Sequence, residues 1–482
     1  MRKNRRNFLK LSSISTIGLV TGIHKLSFSN VPNAPIYISN RPAIANRKFV
    51  SKAVEAKLKE VKAAIKDPEI AWMFENCYPN TLDTTITHQT INGKPDTFVI
   101  TGDIHAMWLR DSTAQVWPYL PLVNKDPALK ILIQGLVNRQ TNCVLIDTYA
   151  NAFNISANVE DKGWQHDDTA MKPELHERKW EVDSLCYVVR LAHGYWKTTK
   201  DNSLFDDNWD KAMRAIVKTF KDQQRKDGLG PYHFRRNGSN PTDTAGFDGY
   251  GNKVNPIGMI ASLFRPSDDG TIFPFLVPSN LFAVQALKQL EELYTIAKPD
   301  AAFSKECHLL SVEVNEAIQK HAIINDPEFG KMYAYEIDGF GSMLVMDDAN
   351  VPSLLSLPYL NSIDSNDPLY VNTRKFALSK RNPWFFNGKA AEGIGGPHTG
   401  RDTIWPMGII VRAMTSNNEE EIKLCLKMLK ATHAETGFIH ESFNKDDAKN
   451  FSRKWFAWAN TLFGELLVNL YEKRPHLLKI NY

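Results

Sequence analysis

The sequence predicts an all-α fold, one large domain of paired helices with a small β-hairpin and long loops gathered at one end. Three observations predict it. Apolar residues recur at helical spacing in eleven segments, a single segment alternates like a strand pair, and no Ser/Gly or Pro linker divides the body. From periodicity alone, a closed ring of helix pairs and an irregular helical bundle are equally acceptable.

The first thirty residues read as a removable signal rather than as part of the fold. Arg2, Lys3, Arg5, Arg6 and Lys10 lead into the apolar run Leu11 to Ile23, whose 13 residues are too few to span a bilayer. Arg5-Arg6-Asn7-Phe8-Leu9-Lys10 resembles a twin-arginine export signal, so an exported, periplasmic protein is expected. Residues 31–50 form a leader, and 51–482 a single catalytic domain.

Within that domain Lys52–Lys66 alternates charged and apolar residues at helical spacing. Thr85–Thr101 then reads as a hairpin, with Asn92-Gly93 at its turn between β-branched arms. Helices are predicted over Ala114–Leu122, Ala128–Tyr149, Val182–Lys197, Trp209–Lys226, Leu281–Ala297 and Lys305–His321. Four more are predicted over Thr373–Ser379, Thr403–Thr415, Glu419–Thr432 and Trp455–Tyr471. Between them run long connections, 150–181, 228–280, 326–372, 383–402 and 434–454, rich in Gly, Pro, Asp and aromatic residues. Loops of that length commonly carry function.

Composition excludes several classes. At 43% hydrophobic the chain is globular, and its 11 Trp, 15 Tyr and 25 Phe suit a surface that stacks on flat ligands or sugar rings. Residues 1–30 hold six Lys or Arg and no acidic residue, so the formal +4 becomes −2 once they are removed. A near-neutral chain has no electrostatic footprint for nucleic acid or anionic membranes. Cys77, Cys143, Cys186, Cys307 and Cys425 are odd in number and never form CxxC, which indicates neither a disulfide framework nor a zinc site.

Familiar signatures are missing as well. No GxxxxGK[ST] or GxSxG occurs, and Gly393-Ile394-Gly395-Gly396-Pro397-His398 lacks the third Gly of a dinucleotide fingerprint. His440-Glu441 does not continue as HExxH, and neither Asp167-Asp168 nor Asp347-Asp348 opens an EF-hand loop. No metal ligand set and no cofactor are expected.

Five polar-aromatic patches fall instead in loops or at helix starts: Thr101–Ser112, Lys179–Ser184, Phe264–Gly270 with Phe273–Asn280, Gly396–Asp402, and Thr436–Phe443 ahead of Trp455–Asn460. Trp108, Arg110 and Asp111 can stack on a ring and fork hydrogen bonds to neighbouring hydroxyls, although an Arg-Asp pair also caps a helix. Asn280 or Ser279 reads as the cap of the helix from Leu281. Sugars need this mixture. Glycosidic cleavage needs in addition two carboxyl groups flanking the bond, one of them raised in pKa by burial and nearby carboxylates.

The stretches TGDIHAMWLRDS, FRPSDD with its trailing PSN, GPHTGRDTIWPM and TGFIHESF with FAWAN resemble glycoside hydrolase family 125, the metal-independent exo-α-1,6-mannosidases. The resemblance runs from about residue 50 to about 475. It implies an (α/α)6 barrel and inverting removal of terminal α-1,6-linked mannose, with an Asp acid and a Glu base. Motif by motif, the acid falls on Asp268, with Asp269 one residue away, and the base on Glu441. Trp108, Arg110, Asp111, Asp183, Asn280, His398, Arg401 and His440 would shape a closed pocket for one terminal sugar. His105 stands where the family usually has Pro; it either fills a position at the start of a helix, the favoured reading, or adds a hydroxyl contact. The expected partner is an α-mannoside glycan, acted on by a monomer with no stable membrane association. The rivals are a calcium-dependent α-1,2-mannosidase or an α-glucosidase-like enzyme of the same architecture, and a non-catalytic mannoside-binding protein.

Overall fold

A computed structural model describes residues 37–238 and 240–482, so the signal and most of the leader lie outside the described residues. Ile38–Tyr482 form one compact unit. In chain order its helices are α1 (Lys52–Ala64), α2 (Pro68–Cys77), α3 (Asn80–Thr84), α4 (Leu109–Val116), α5 (Pro127–Ile146), α6 (Val182–Thr199) and α7 (Asp207–Gln223). They continue as α8 (Val277–Glu292), α9 (Ala301–His321), α10 (Pro368–Ala377), α11 (Pro406–Met414), α12 (Glu419–Thr432) and α13 (Ala457–Lys473).

Two kinds of helix occur, alternating from α4 to α9 and from α10 to α13. One kind, half-exposed except for α2, starts on side-chain caps: Ser51 for α1, Asp67 for α2, Asp126 for α5, Asp206 for α7, Asp300 for α9, Asp367 for α10 and Asn418 for α12. Each cap satisfies backbone N–H groups that the first turn leaves unpaired, worth about 1 kcal/mol apiece. By contrast α4, α6, α8, α11 and α13 are nearly wholly buried, in α4 polar residues included, and none has a side-chain cap. Loop atoms pair with their first N–H groups instead. Leu109 N donates to Asn151 O at 3.1 Å, Val277 N to Tyr335 O at 2.8 Å and Ala457 N to Thr101 O at 3.0 Å. Val182 N donates to Ser262 Oγ at 3.1 Å. The loops are thereby tied to the starts of the buried helices.

These buried helices pack on one another: α4 lies against α6 and α13, α6 also against α8, and α13 also against α11. The observed starts correct several sequence expectations. The helix expected from Ala114 begins at Leu109 and turns 3-10 at Trp117, and the one expected from Leu281 begins at Val277. Neither Ser279 nor Asn280 is therefore a cap. Asn280 sits inside the first turn, its amide clamped on Ile260 N (2.8 Å), Ile260 O (2.9 Å) and Leu276 O (2.9 Å). Helices α2 and α3 escaped the sequence reading, because both are largely buried and show no polar face.

The expected hairpin is present, with Ile86–Ile91 paired antiparallel to Lys94–Val99. Asn92 and Gly93 both take left-handed φ, 51° and 77°, as a type I′ turn demands. The hairpin lies along α5, where a Cβ on Gly135 would collide with Thr97. Among the described residues five further small sheets occur, most of their strands inside the long connections, so a lone hairpin understates the β content. Short strands lead directly into buried helices: Met107–Trp108 into α4, Phe275–Leu276 into α8, Thr403–Ile404 into α11. They fix where the first turns of those helices point.

Candidate active site

At the end of the molecule where the buried helices begin lies a cavity of about 600 Å³. Trp108, Arg110, Asp111, Asp268, His398 and Glu441 line it together, drawn from four of the five sequence patches. Trp405, Phe456 and Trp458 supply further aromatic surface, and Lys179, Glu177 and Arg453 further charge.

Asp268 reaches the cavity through a locked turn. Asp268 N donates to Arg265 O at 2.9 Å and Arg265 N to Asp269 O at 2.8 Å, which folds FRPSDDG back on itself. Asp268 takes φ 68°, a left-handed conformation that Asp tolerates better than most residues. Behind the turn, buried Arg265 Nε pairs with Glu336 Oε1 at 2.6 Å. The neighbouring aspartate faces the other way. Asp269 is 1% exposed, accepting from Thr242 Oγ1 at 2.8 Å and Ser267 Oγ at 3.2 Å. The choice between the two aspartates thus falls out of the turn: Asp268 presents its carboxyl, and Asp269 braces the loop.

Asp269 also lies 3.7 Å from His398 Nδ1. Burial works against the imidazolium, but Asp269, with Asp268 and Glu441 further off, raises His398 to about 9. It is therefore a cation in the cavity wall at neutral pH. Beside it Thr399 Oγ1 accepts from Trp405 Nε1 at 2.8 Å, which orients that indole.

Glu441 precedes the strand Ser442–Asn444, which pairs with Asp447–Ser452 in a hairpin. Ser452 Oγ donates to its Oε2 at 2.9 Å and Arg453 Nη1 to its Oε1 at 3.2 Å. Both donors come from the partner arm, so strand pairing sets the carboxylate's aim. Its neighbour His440 points elsewhere, stacked on Phe451 with ring centroids 3.7 Å apart.

Arg110 organises the opposite side. Its Nη1 donates to Glu181 Oε2 at 2.6 Å and Asp183 Oδ2 at 3.1 Å, and its Nη2 lies 3.5 Å from Asp268 Oδ1. Asp111 Oδ2 is 3.7 Å from Arg110 Nε. Burial, only partly offset by Arg110, pushes Asp111 up to about 6. Asp268 differs from the sequence expectation. Burial does push its carboxyl up, but Lys179 and Arg110 outweigh that and hold it below the usual range.

Some expected contacts are not in the cavity wall. Asp183 is fully buried behind Arg110, Asn280 holds the 260 loop, Arg401 is exposed on a turn, and His440 packs on Phe451. His105 is exposed beside the rim. Conversely Lys179, Trp405, Arg453 and Trp458 line the cavity and Glu181 bonds Arg110 without having been singled out from sequence, although all but Arg453 stand in quoted stretches. Arg453 carries no local signal at all. All five cysteines are free and buried. Among the described residues no group of three or more His, Cys, Asp or Glu side chains could hold a metal ion.

Residues 67–468 match the family model of the GH125 metal-independent α-mannosidases. The chain belongs to that family. Within GH125, a solved Streptococcus pneumoniae metal-independent α-mannosidase, in a non-productive substrate complex with α-1,6-mannobiose, is 40% identical. It has a TM-score of 0.84, covering 89% of this chain and 100% of that one. The Schizosaccharomyces pombe meiotically up-regulated gene 157 protein is 43% identical over 458 residues, 92% of this chain and 90% of its own. A further solved glycosidase, 11% identical with a TM-score of 0.50 over 87% of this chain and 99% of that one, is alike in fold alone. The cavity presents Asp268 and Glu441 from separate loops, and membership of a mannosidase family implies a glycan substrate.

Proposed function

We propose that the protein is an inverting exo-acting glycoside hydrolase that removes terminal α-1,6-linked mannose from glycans. The observation that carries this reading is the presence of Asp268 and Glu441 in one aromatic-walled cavity, each on a separately braced loop. Asp268 donates a proton to the glycosidic oxygen. Glu441 takes a proton from a water that attacks the anomeric carbon from the opposite ring face, so the configuration inverts. Room for that water requires the carboxyl groups about 6.5–9.5 Å apart when substrate is bound. Trp108, Arg110, Asp111 and His398 would hold the terminal sugar, with Asp183 steadying Arg110. The mannobiose complex of the pneumococcal relative supports the α-1,6 linkage.

The alternation of buried and half-exposed helices supports an (α/α)6 barrel as the scaffold, carried by a single catalytic domain from residue 51. Export through the twin-arginine route to the periplasm, and action as a monomer, complete the proposal. Among the described residues no helix is long and apolar enough to cross a membrane.

Mannose release from a panel of linkage-defined mannobioses, with and without EDTA, tests the reading. Cleavage confined to the α-1,6 compound and indifferent to EDTA is expected, and proton NMR should show β-mannose first. An α-1,2 preference, EDTA sensitivity or α-mannose as first product would refute it.

A further inference from the structure

Glu181, the residue before α6, plays no part in the mechanism above, yet it touches the acid. Four carboxyls surround one guanidinium: Glu181, Asp183 and Asp268 on the Nη atoms of Arg110, and Asp111 beside its Nε. Four ionised carboxylates around one buried cation would leave a large uncompensated negative charge. Positive charge is otherwise supplied from the edges. Lys179 Nζ donates to the main-chain oxygen of Asp268 at 2.7 Å and also serves Glu177 and Asp243, while Arg453 serves Glu441 and Asp103. His398 faces the group from the 396–402 loop and is bound to Asp269.

Within this cluster the two oxygens of Glu181 differ. Oε2 accepts from Arg110 and, at 2.8 Å, from Ser184 Oγ. Oε1 is buried, and among the described residues no donor reaches it. A carboxylate oxygen in that state is costly, whereas a carboxyl O–H there would itself donate. Asp268 is the acceptor offered beside it, since Glu181 Oε2 and Asp268 Oδ1 sit on the two Nη atoms of the same Arg110, at 2.6 Å and 3.5 Å. Proton affinities run the same way. Burial, with Asp268 and Asp183 adding repulsion, raises Glu181 well above the carboxylate range, while Lys179 and Arg110 hold Asp268 below it.

We propose that Glu181 is a neutral carboxyl that stores the reaction's proton, donating to Asp268 and passing it the proton that the glycosidic oxygen receives. The proposal rests on Asp268 as the general acid. As the C–O bond breaks, the proton passes from Glu181 to Asp268 and from Asp268 to the leaving oxygen, so that Asp268 is again a carboxylate and Glu181 becomes a carboxylate paired with Arg110. The attacking water loses its own proton to Glu441. Glu441 then releases a proton to solvent, and the Glu181–Asp268 pair takes one back. Glu181 acts through Asp268 and is a positioning residue.

Glu181→Gln keeps the shape, still accepts from Arg110 and still donates to Asp268, but cannot deliver a proton. On α-1,6-mannobiose at pH 7 its kcat is expected to fall about 100-fold, within the usual range for acid–base groups, with KM nearly unchanged. The alkaline limb of its pH profile moves down by about one unit or more, because Asp268 alone, beside Lys179 and Arg110, keeps its proton only at lower pH. A 2,4-dinitrophenyl mannoside, whose leaving group needs no proton, retains nearly wild-type turnover. An unchanged pH profile, or an equal loss on both substrates, would overturn the proposal. Infrared spectroscopy of wild-type protein labelled with carbon-13 glutamate gives a readout independent of turnover. A protonated-carboxyl band at pH 7 that disappears in E181Q supports the pair even if the enzyme cleaves no mannoside, in which case the failure lies with the proposed function. Absence of the band in the wild type overturns it.

Discussion

Lys179 reaches across the cavity wall to the main-chain carbonyl of Asp268, 2.7 Å away, and so ties the Asp268 turn to the segment that enters α6. The side chain is 2% exposed and shared with Glu177 and Asp243. Lys179→Met therefore leaves Glu177 and Asp243 with Arg236 as their one remaining cation, at a cost of about 1–3 kcal/mol. Loosening the turn should lower kcat about 100-fold, as a misplacement of about 1 Å does. Since Lys179 favours ionised Asp268, its loss moves the alkaline limb upward, opposite to E181Q. Thermal denaturation and pH–rate profiles check both.

Asp268→Asn and Glu441→Gln should each lose about 10²–10⁴ in kcat on mannobiose with the fold retained. The two separate on an activated aryl mannoside, where D268N recovers most of its turnover and E441Q does not. Near wild-type turnover on mannobiose in either variant would exclude that residue.

Asp111 is raised from 3.8 to about 6, so its ionisation opposes folding. The stability linked to its proton is full below about pH 3.8 and lost as pH rises through about 6. Asp111→Asn is expected to stabilise the protein at pH 7 by about 1–3 kcal/mol and by little at pH 4, while weakening mannoside hydrolysis. Melting curves at the two pH values measure it.

His398 works in the other sense. Its folded value of about 9 exceeds the ordinary 6.5, so its contribution is full below about pH 6.5 and disappears as pH rises through about 9. Wild-type melting temperature should fall across that window more steeply than that of His398→Gln.

Asn280 holds the main chain of Ile260 on both its N–H and its carbonyl, far inside α8's first turn. Asn280→Ala should cost about 2–4 kcal/mol by leaving those groups unpaired, with KM for mannobiose unchanged in the folded fraction. A selective rise in KM would return Asn280 to the sugar pocket.

Much of this architecture is legible in the chain. Some half-exposed helices announce themselves, because Asp126-Pro127 and Asn418 are local signals that act within one turn; the same kind of signal at Asp67-Pro68 and Asp367-Pro368 is passed over, so α2 is missed and α10 expected five residues late. Asn92-Gly93 fixes its hairpin for the same reason. The buried helices are misplaced by several residues where their N–H groups are satisfied by Asn151, Tyr335 and Thr101, partners remote in sequence or lying in other loops. The short strands that aim α4, α8 and α11 pair with segments far along the chain, and no local pattern marks them.

For the site, the sequence by itself singled out motifs whose Trp108, Arg110, Asp268, His398 and Glu441 meet in one cavity, since their residue types suit a sugar. Only the tertiary structure shows how Asp268 and Asp269 differ, through a turn whose backbone points one carboxyl into the cavity and the other into Thr242 and Ser267. It alone brought Glu181, some ninety residues earlier, against that carboxyl and Arg453 against Glu441. Proton affinity depends on burial and on charges brought close by folding, and neither is a property of a residue's place in the chain.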